Sequence, residues 1–139
     1  MTSKARDLGD FISIIANGTS GQVLTIDDTA VGGVSLVSVV TLGTTITTSR
    51  DLADADFAGN IFYDVAHATV PIVLNIPLGL TETEPVTLQQ TDVADVSFTA
   101  AGGVTIQSLD SKVSIAGQYA SVTLVPKGSN VYALIGALK

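Results

Sequence analysis

His67 is the only histidine in the 139 residues, and a Ser–His–Asp site would have to be built around it. It sits in Val65–Ala66–His67–Ala68–Thr69, with alanines on both sides and no G-x-S-x-G elbow in the chain. A Ser–His–Asp site built on it has no local support, and a surface or interface residue is the simpler reading. The carboxylates are the other candidates. Asp51, Asp54, Asp56 and Asn60 suggest a calcium loop, but the twelfth position counted from Asp54 is Val65, where an EF-hand needs a carboxylate. Asp27–Asp28, Glu82–Glu84 and Asp92–Asp95 read as hydrated loop charges. A glycoside-hydrolase pair would be expected in an aromatic-lined cleft, and the chain has no Trp, three Tyr and four Phe. Gly32–Gly33 and Gly102–Gly103 lie between strands and read as turns, not as a phosphate-binding loop. No catalytic residue, metal site or cofactor site is assigned.

The elements around these residues are β-strands. Val96–Ser97–Phe98–Thr99, Val104–Thr105–Ile106–Gln107, Val113–Ser114–Ile115 and Val122–Thr123–Leu124 step apolar then polar. That period of two buries one sheet face and leaves the other toward solvent. Further strands are expected over Gln22–Ile26, Val34–Leu42, Thr45–Thr48, Ile61–Val65, Ile72–Ile76, Val86–Gln90, Tyr119–Pro126 and Val131–Leu138. Gly128–Ser129–Asn130 reads as a hairpin turn, and Asp54–Asn60 as a loop or short helical turn. Many short strands at this spacing predict an all-β fold, a small antiparallel β-sandwich or barrel-like domain over residues 51–139. Residues 1–50 would form a separate N-terminal region, a short helix followed by a β-rich linker. In that helix, over residues 3–16, Leu8, Phe11, Ile12 and Ile15 fall at i, i+3, i+4 and i+7 and make one apolar stripe. So short a helix is marginal alone, so the stripe is expected to dock, on its own domain or as an anchoring and oligomer face.

Composition bounds the partners. Hydrophobic residues make up 46% of the chain and charged residues only 14%, against about 25% in an ordinary soluble domain. A small domain so poor in charge is expected to hide surface against copies of itself. The net charge of −7, with six scattered basic residues, argues against nucleic acid. Thr29 to Ser49 runs 21 residues without a charge, about the length of a spanning helix. Its Gly32–Gly33, Gly43 and Thr44–Thr45–Ile46–Thr47–Thr48 suit strands instead, so no membrane insertion is expected. Lys4–Ala5–Arg6–Asp7 leads into too short an apolar stretch for a signal peptide. With no Cys, neither disulfides nor thiolate metal sites are available.

Several segments then resemble a known group. Gly18–Thr19–Ser20–Gly21–Gln22–Val23–Leu24–Thr25 followed by Asp27 resembles the G-x-x-G-Q-V-L-x-x-D segments of bacteriophage tail-fibre and related trimeric appendage proteins. Lys4–Ala5–Arg6–Asp7–Leu8 resembles the leader that often precedes them. From Leu52 onward, Gly59–Asn60, Val73–Leu74–Asn75–Ile76–Pro77, Val86–Thr87–Leu88–Gln89–Gln90, Val96 to Ile106 and Tyr119 to Lys127 look, in that order, like a small β domain common in phage structural proteins. The chain has room for neither an extended fibre shaft nor a separate receptor-binding tip. The resemblance therefore implies a short virion appendage or capsid-decoration subunit, homotrimeric, attached to capsid or tail proteins through its N-terminal region. Its β domain would project toward the host surface. Two other classes stay in view: a receptor- or glycan-binding module using Asp54–Asn60 and Thr81–Pro85, and a hydrolase built on a pair such as Asp92 and Asp95.

Overall fold

The computed structural model describes residues 40–139 throughout and, before them, the backbone of two strands, β1 (Gln22–Ile26) and β2 (Val34–Ser38). The expected helix, with Leu8, Phe11, Ile12 and Ile15, lies outside the described residues, as do Asp27–Asp28 and Gly32–Gly33. The chain divides into two compact units, Met1–Val39 and Val40–Lys139. In the first, β1 and β2 form an antiparallel pair in which Leu24 faces Leu36.

The second unit is β-rich and winds like a solenoid. Its strands are β3 (Thr41–Leu42), β4 (Arg50–Asp51), β5 (Ile61–Val65), β6 (Ile72–Ile76), β7 (Val86–Gln90), β8 (Val96–Ala100), β9 (Thr105–Ser108), β10 (Ser121–Pro126) and β11 (Val131–Gly136). From β3 to β8 the chain alternates between two sheets. β3, β5 and β7 stack in parallel in one, while β4, β6 and β8 stack in parallel in the other. Ile61 pairs with Val86 and Ile72 with Val96, so each coil repeats after roughly 24 residues. The first sheet reaches six strands in the order β3-β5-β7-β10-β11-β9.

An antiparallel sandwich or barrel is therefore not what forms. The physical reason lies in what alternation reports. β6 and β7 both read buried–partly buried–buried along their length, as an antiparallel strand with one wet face would. Strand direction is set instead by the connections. Residues 66–71, 77–85 and 91–95 each carry the chain across to the other sheet rather than back beside the strand just left. The hairpin reading of Gly128–Ser129–Asn130 does hold. All three residues have positive φ, Lys127 N–H donates to Val131 O (2.8 Å), and β10 and β11 pair antiparallel. At this C-terminal end both sheets gain an antiparallel neighbour: β10 pairs with β7, and Ser114 bridges Ser97 of β8.

The inward residues form one core. Leu74, Ile76 and Phe98 from the three-stranded sheet meet Val86, Leu88, Leu124 and Leu134 from the six-stranded one, all essentially inaccessible to water. Phe57 and Tyr132 close one part of it, with ring centroids 5.8 Å apart. On the outer face of the three-stranded sheet the repeat lines up like positions. Asn75 Nδ2 donates to Asp51 Oδ1 (3.0 Å), and Thr99 Oγ1 donates to Asn75 Oδ1 (3.1 Å), making a polar ladder across three coils.

Candidate functional site

The densest cluster of interacting side chains gathers around Asp56. Residues Asp54–Phe57 form one 3-10 turn between β4 and β5, which is the helical turn the sequence allows for. The turn delivers Asp56 into the interior at 4% exposure. Its carboxylate accepts from Arg50 Nη1 and Nη2, both at 2.8 Å, and from Ala53 N–H at 2.8 Å. Arg50 sits in the same register as Leu74 and Phe98, so its side chain points inward and must find a buried anion. Burial pushes the Asp56 carboxyl up. The Arg50 guanidinium, Ala53 N–H and the Tyr63 hydroxyl outweigh that and hold it below the usual carboxylate range. Arg50 is raised, chiefly by its hydrogen bonds to Asp56.

Tyr63 completes the cluster. The guanidinium lies 5.7 Å from its ring centroid, and a Cβ at Gly43 would clash with the Cδ1–Cε1 edge of that ring, so glycine there is what admits the aromatic side chain. Burial first, then the Asp56 carboxylate, pushes the Tyr63 phenol up to about 12. A phenol so hard to deprotonate is a donor rather than a base at neutral pH. The cluster borders an open groove of about 330 Å³ lined by Thr44, Thr45, Thr47, Thr48, Arg50 and Tyr63. Chemically, the Arg50–Asp56–Tyr63 group is a clasp: it ties the first coil to the second.

The other predicted residues are placed as follows. Asp54 Oδ1 accepts from Thr81 N–H (2.7 Å) and Glu82 N–H (3.1 Å), and those backbone donors hold its carboxyl below the usual range. Glu84 N–H donates to Phe57 O at 3.1 Å, so the loops Asp54–Asn60 and Thr81–Pro85 meet. Asp51, Asp54 and Asp56 do not converge: one is in the polar ladder, one caps the 81–82 backbone, and one faces inward. Among the described residues no group of three or more His, Asp or Glu could hold a metal ion. His67 Nδ1 accepts from Thr69 N–H (3.1 Å) and Val70 N–H (2.9 Å), bracing its own turn. Asp92 Oδ1 accepts from Val93 N–H (2.8 Å), whereas Asp95 pairs with Lys139 (2.6 Å). Asp92 and Asp95 thus serve separate partners.

Sequence reasoning missed Arg50 and Tyr63. Arg50 reads as one of a few scattered cations, and nothing local singles out Asp56 from Asp51 and Asp54 as its partner. No family model, curated protein or solved structure matches the chain. Among the described residues no helix is long and apolar enough to cross a membrane.

Proposed function

We propose that this chain is a non-enzymatic structural protein of a bacteriophage virion, a short homotrimeric fibre or capsid-decoration subunit. Residues 1–50 attach it to capsid or tail proteins, through Leu8, Phe11, Ile12 and Ile15, and the β-rich region projects outward. The observation that supports this reading best is how the described polar groups are spent. The Asp54, Asp56 and His67 side chains bond backbone N–H groups or close an internal ion pair, which is the work of a scaffold. The ordered motifs that resemble those of phage appendage proteins suggest the particle, and the scarcity of charge supplies the expectation of self-association. Deleting residues 1–20 tests the assignment. Incorporation into particles is lost while the β-rich unit keeps its far-ultraviolet circular dichroism; normal incorporation of the truncated chain refutes the anchor.

A second reading has one observation in its favour. The loops Asp54–Asn60 and Thr81–Pro85, which a receptor- or glycan-binding module would use, are joined through the Asp54 carboxylate. Binding on a glycan array, lost in Asp54→Ala, would support it. Silence on the array and on host cells would set it aside.

A further inference from the structure

The six-stranded sheet ends in β3 on one side and β9 on the other, and no described strand pairs with either outer edge. Along a strand the N–H and C=O of one residue point to the same side, and alternate residues point to opposite sides. The bonds already made therefore fix which groups face outward. Thr41 N–H donates to Asn60 O (3.2 Å) and Gly43 N–H to Phe62 O (2.8 Å), which turns the Leu42 backbone to the open side of β3. Thr105 N–H donates to Asn130 O (2.9 Å), which turns Ile106 and Ser108 to the open side of β9. The two edges also run in the same direction. β3, β5 and β7 are parallel, two antiparallel steps through β10 restore that direction in β11, and β9 is parallel to β11.

The side chains at the two edges are complementary. Leu42 is 80% exposed and shares the outer face of the sheet with Phe62, its register partner. At the other edge an open groove of about 420 Å³ is lined chiefly by Gln107, Ser108, Leu109, Leu134, Ile135 and Leu138. Its walls Leu109 and Ile135 are 72% and 60% exposed, and Ser108 Oγ is buried there without a hydrogen-bond partner. No charged side chain lines the groove. Both edge strands are short, yet neither carries the Pro, charge or bulge that commonly protects an edge.

We propose that β3 of one copy of this chain adds in parallel to β9 of the next, so that the six-stranded sheets continue head to tail. With Leu42 opposite Gln107, Leu42 N–H donates to Ile106 O and Ser108 N–H donates to Leu42 O. Gln107 faces outward because it pairs with Ala133, which alternates with the buried Tyr132 and Leu134. This register therefore lays the Leu42 side chain on the outer face, against Leu109 and Ile135. The contact is heterologous, joining two different edges, and such contacts close into rings when the rotation permits. The inference rests on the homotrimeric reading above and deepens it by supplying the interface.

The test uses the full chain and light scattering over a dilution series. Wild type has the mass of three chains. Leu42→Lys and Leu109→Lys, both at exposed positions, each fall to the mass of one chain with unchanged circular dichroism. An equimolar mixture of the two rises to two chains, because the Leu42→Lys copy keeps an intact β9 groove and the Leu109→Lys copy keeps an intact β3. A mixture that stays at one chain overturns the head-to-tail arrangement. Variants that retain the mass of three chains overturn this interface and leave a trimer built elsewhere. Wild type at one chain at every concentration overturns both the interface and the trimeric reading.

Discussion

Breaking the Arg50–Asp56 pair should destabilise the second unit more than any change at the exposed charges, and the structure says by how much. Asp56 is 4% exposed and receives three hydrogen bonds at 2.8 Å, two of them from the guanidinium. Arg50→Met leaves that carboxylate buried with no cation, held only by Ala53 N–H and the Tyr63 hydroxyl, which costs about 3 kcal/mol, the low end for a broken buried pair. The low end applies because the Arg50 side chain is one-third exposed and water can reach the site. Asp56→Ala removes the charge-assisted bonds and orphans Ala53 N–H, again costing about 3 kcal/mol. The double variant carries neither charge and loses about 3 to 4 kcal/mol, so the coupling is roughly 2 to 3 kcal/mol. Urea unfolding at one fixed protein concentration reads this directly. With a slope of about 1.5 kcal/mol per M, each single variant moves the midpoint down by about 2 M. The carboxyl titrates below its ordinary value in the folded chain, so its contribution is full above the unfolded value of about 3.9 and is lost as pH falls through the folded value. The gap between wild type and Asp56→Ala therefore narrows as pH falls below about 4. A midpoint shift under about 0.5 M, or a double variant whose loss equals the two single losses together, would refute the reasoning.

Three further substitutions probe other parts of the fold. Gly136 has φ of 137°, and a Cβ there would lie 2.5 Å from Ser121 O and 2.8 Å from Val122 Cα. Gly136→Ala should cost about 2 kcal/mol in thermal or urea unfolding, because backbone on both strands of the β10–β11 pair must shift. Leu74 is completely buried at the centre of the three-stranded sheet, so Leu74→Ala should cost about 3 kcal/mol through the cavity it leaves. Asp54→Ala should leave global unfolding almost unchanged and release the Thr81 and Glu82 amides, read as faster hydrogen exchange at those two positions.

Much of the strand content could be read from the sequence, because alternation is a local signal. Ile61–Val65, Ile72–Ile76 and Val86–Gln90 form where the pattern places them, and the three residues after Lys127 make the hairpin. Strand direction is not local. The usable clue was the repeat itself: a five-residue strand, a five- or six-residue crossing, and a second five-residue strand, seen in Ile61 to Ile76 and again in Val86 to Ala100. That repeat sits in spacing more than in residue identity, since Ile61–Phe62–Tyr63–Asp64–Val65 stacks on Val86–Thr87–Leu88–Gln89–Gln90 with no register pair identical. The Asp54 link between two loops was legible only as two polar loops, for a bond spanning 27 residues depends on how the coils stack. The Arg50–Asp56–Tyr63 clasp is hidden for a related reason. Arg50 lies where Leu74 and Phe98 stand in the next two coils, and an inward arginine becomes intelligible only once that register is known.

The most direct measurement of the central claim is quantitative mass spectrometry of gradient-purified phage particles from a genome encoding this chain. The chain should be a stoichiometric particle component, in copies that are a multiple of three, with residues 51–139 open to antibodies on intact virions. A chain absent from purified particles but abundant in the lysate would contradict it.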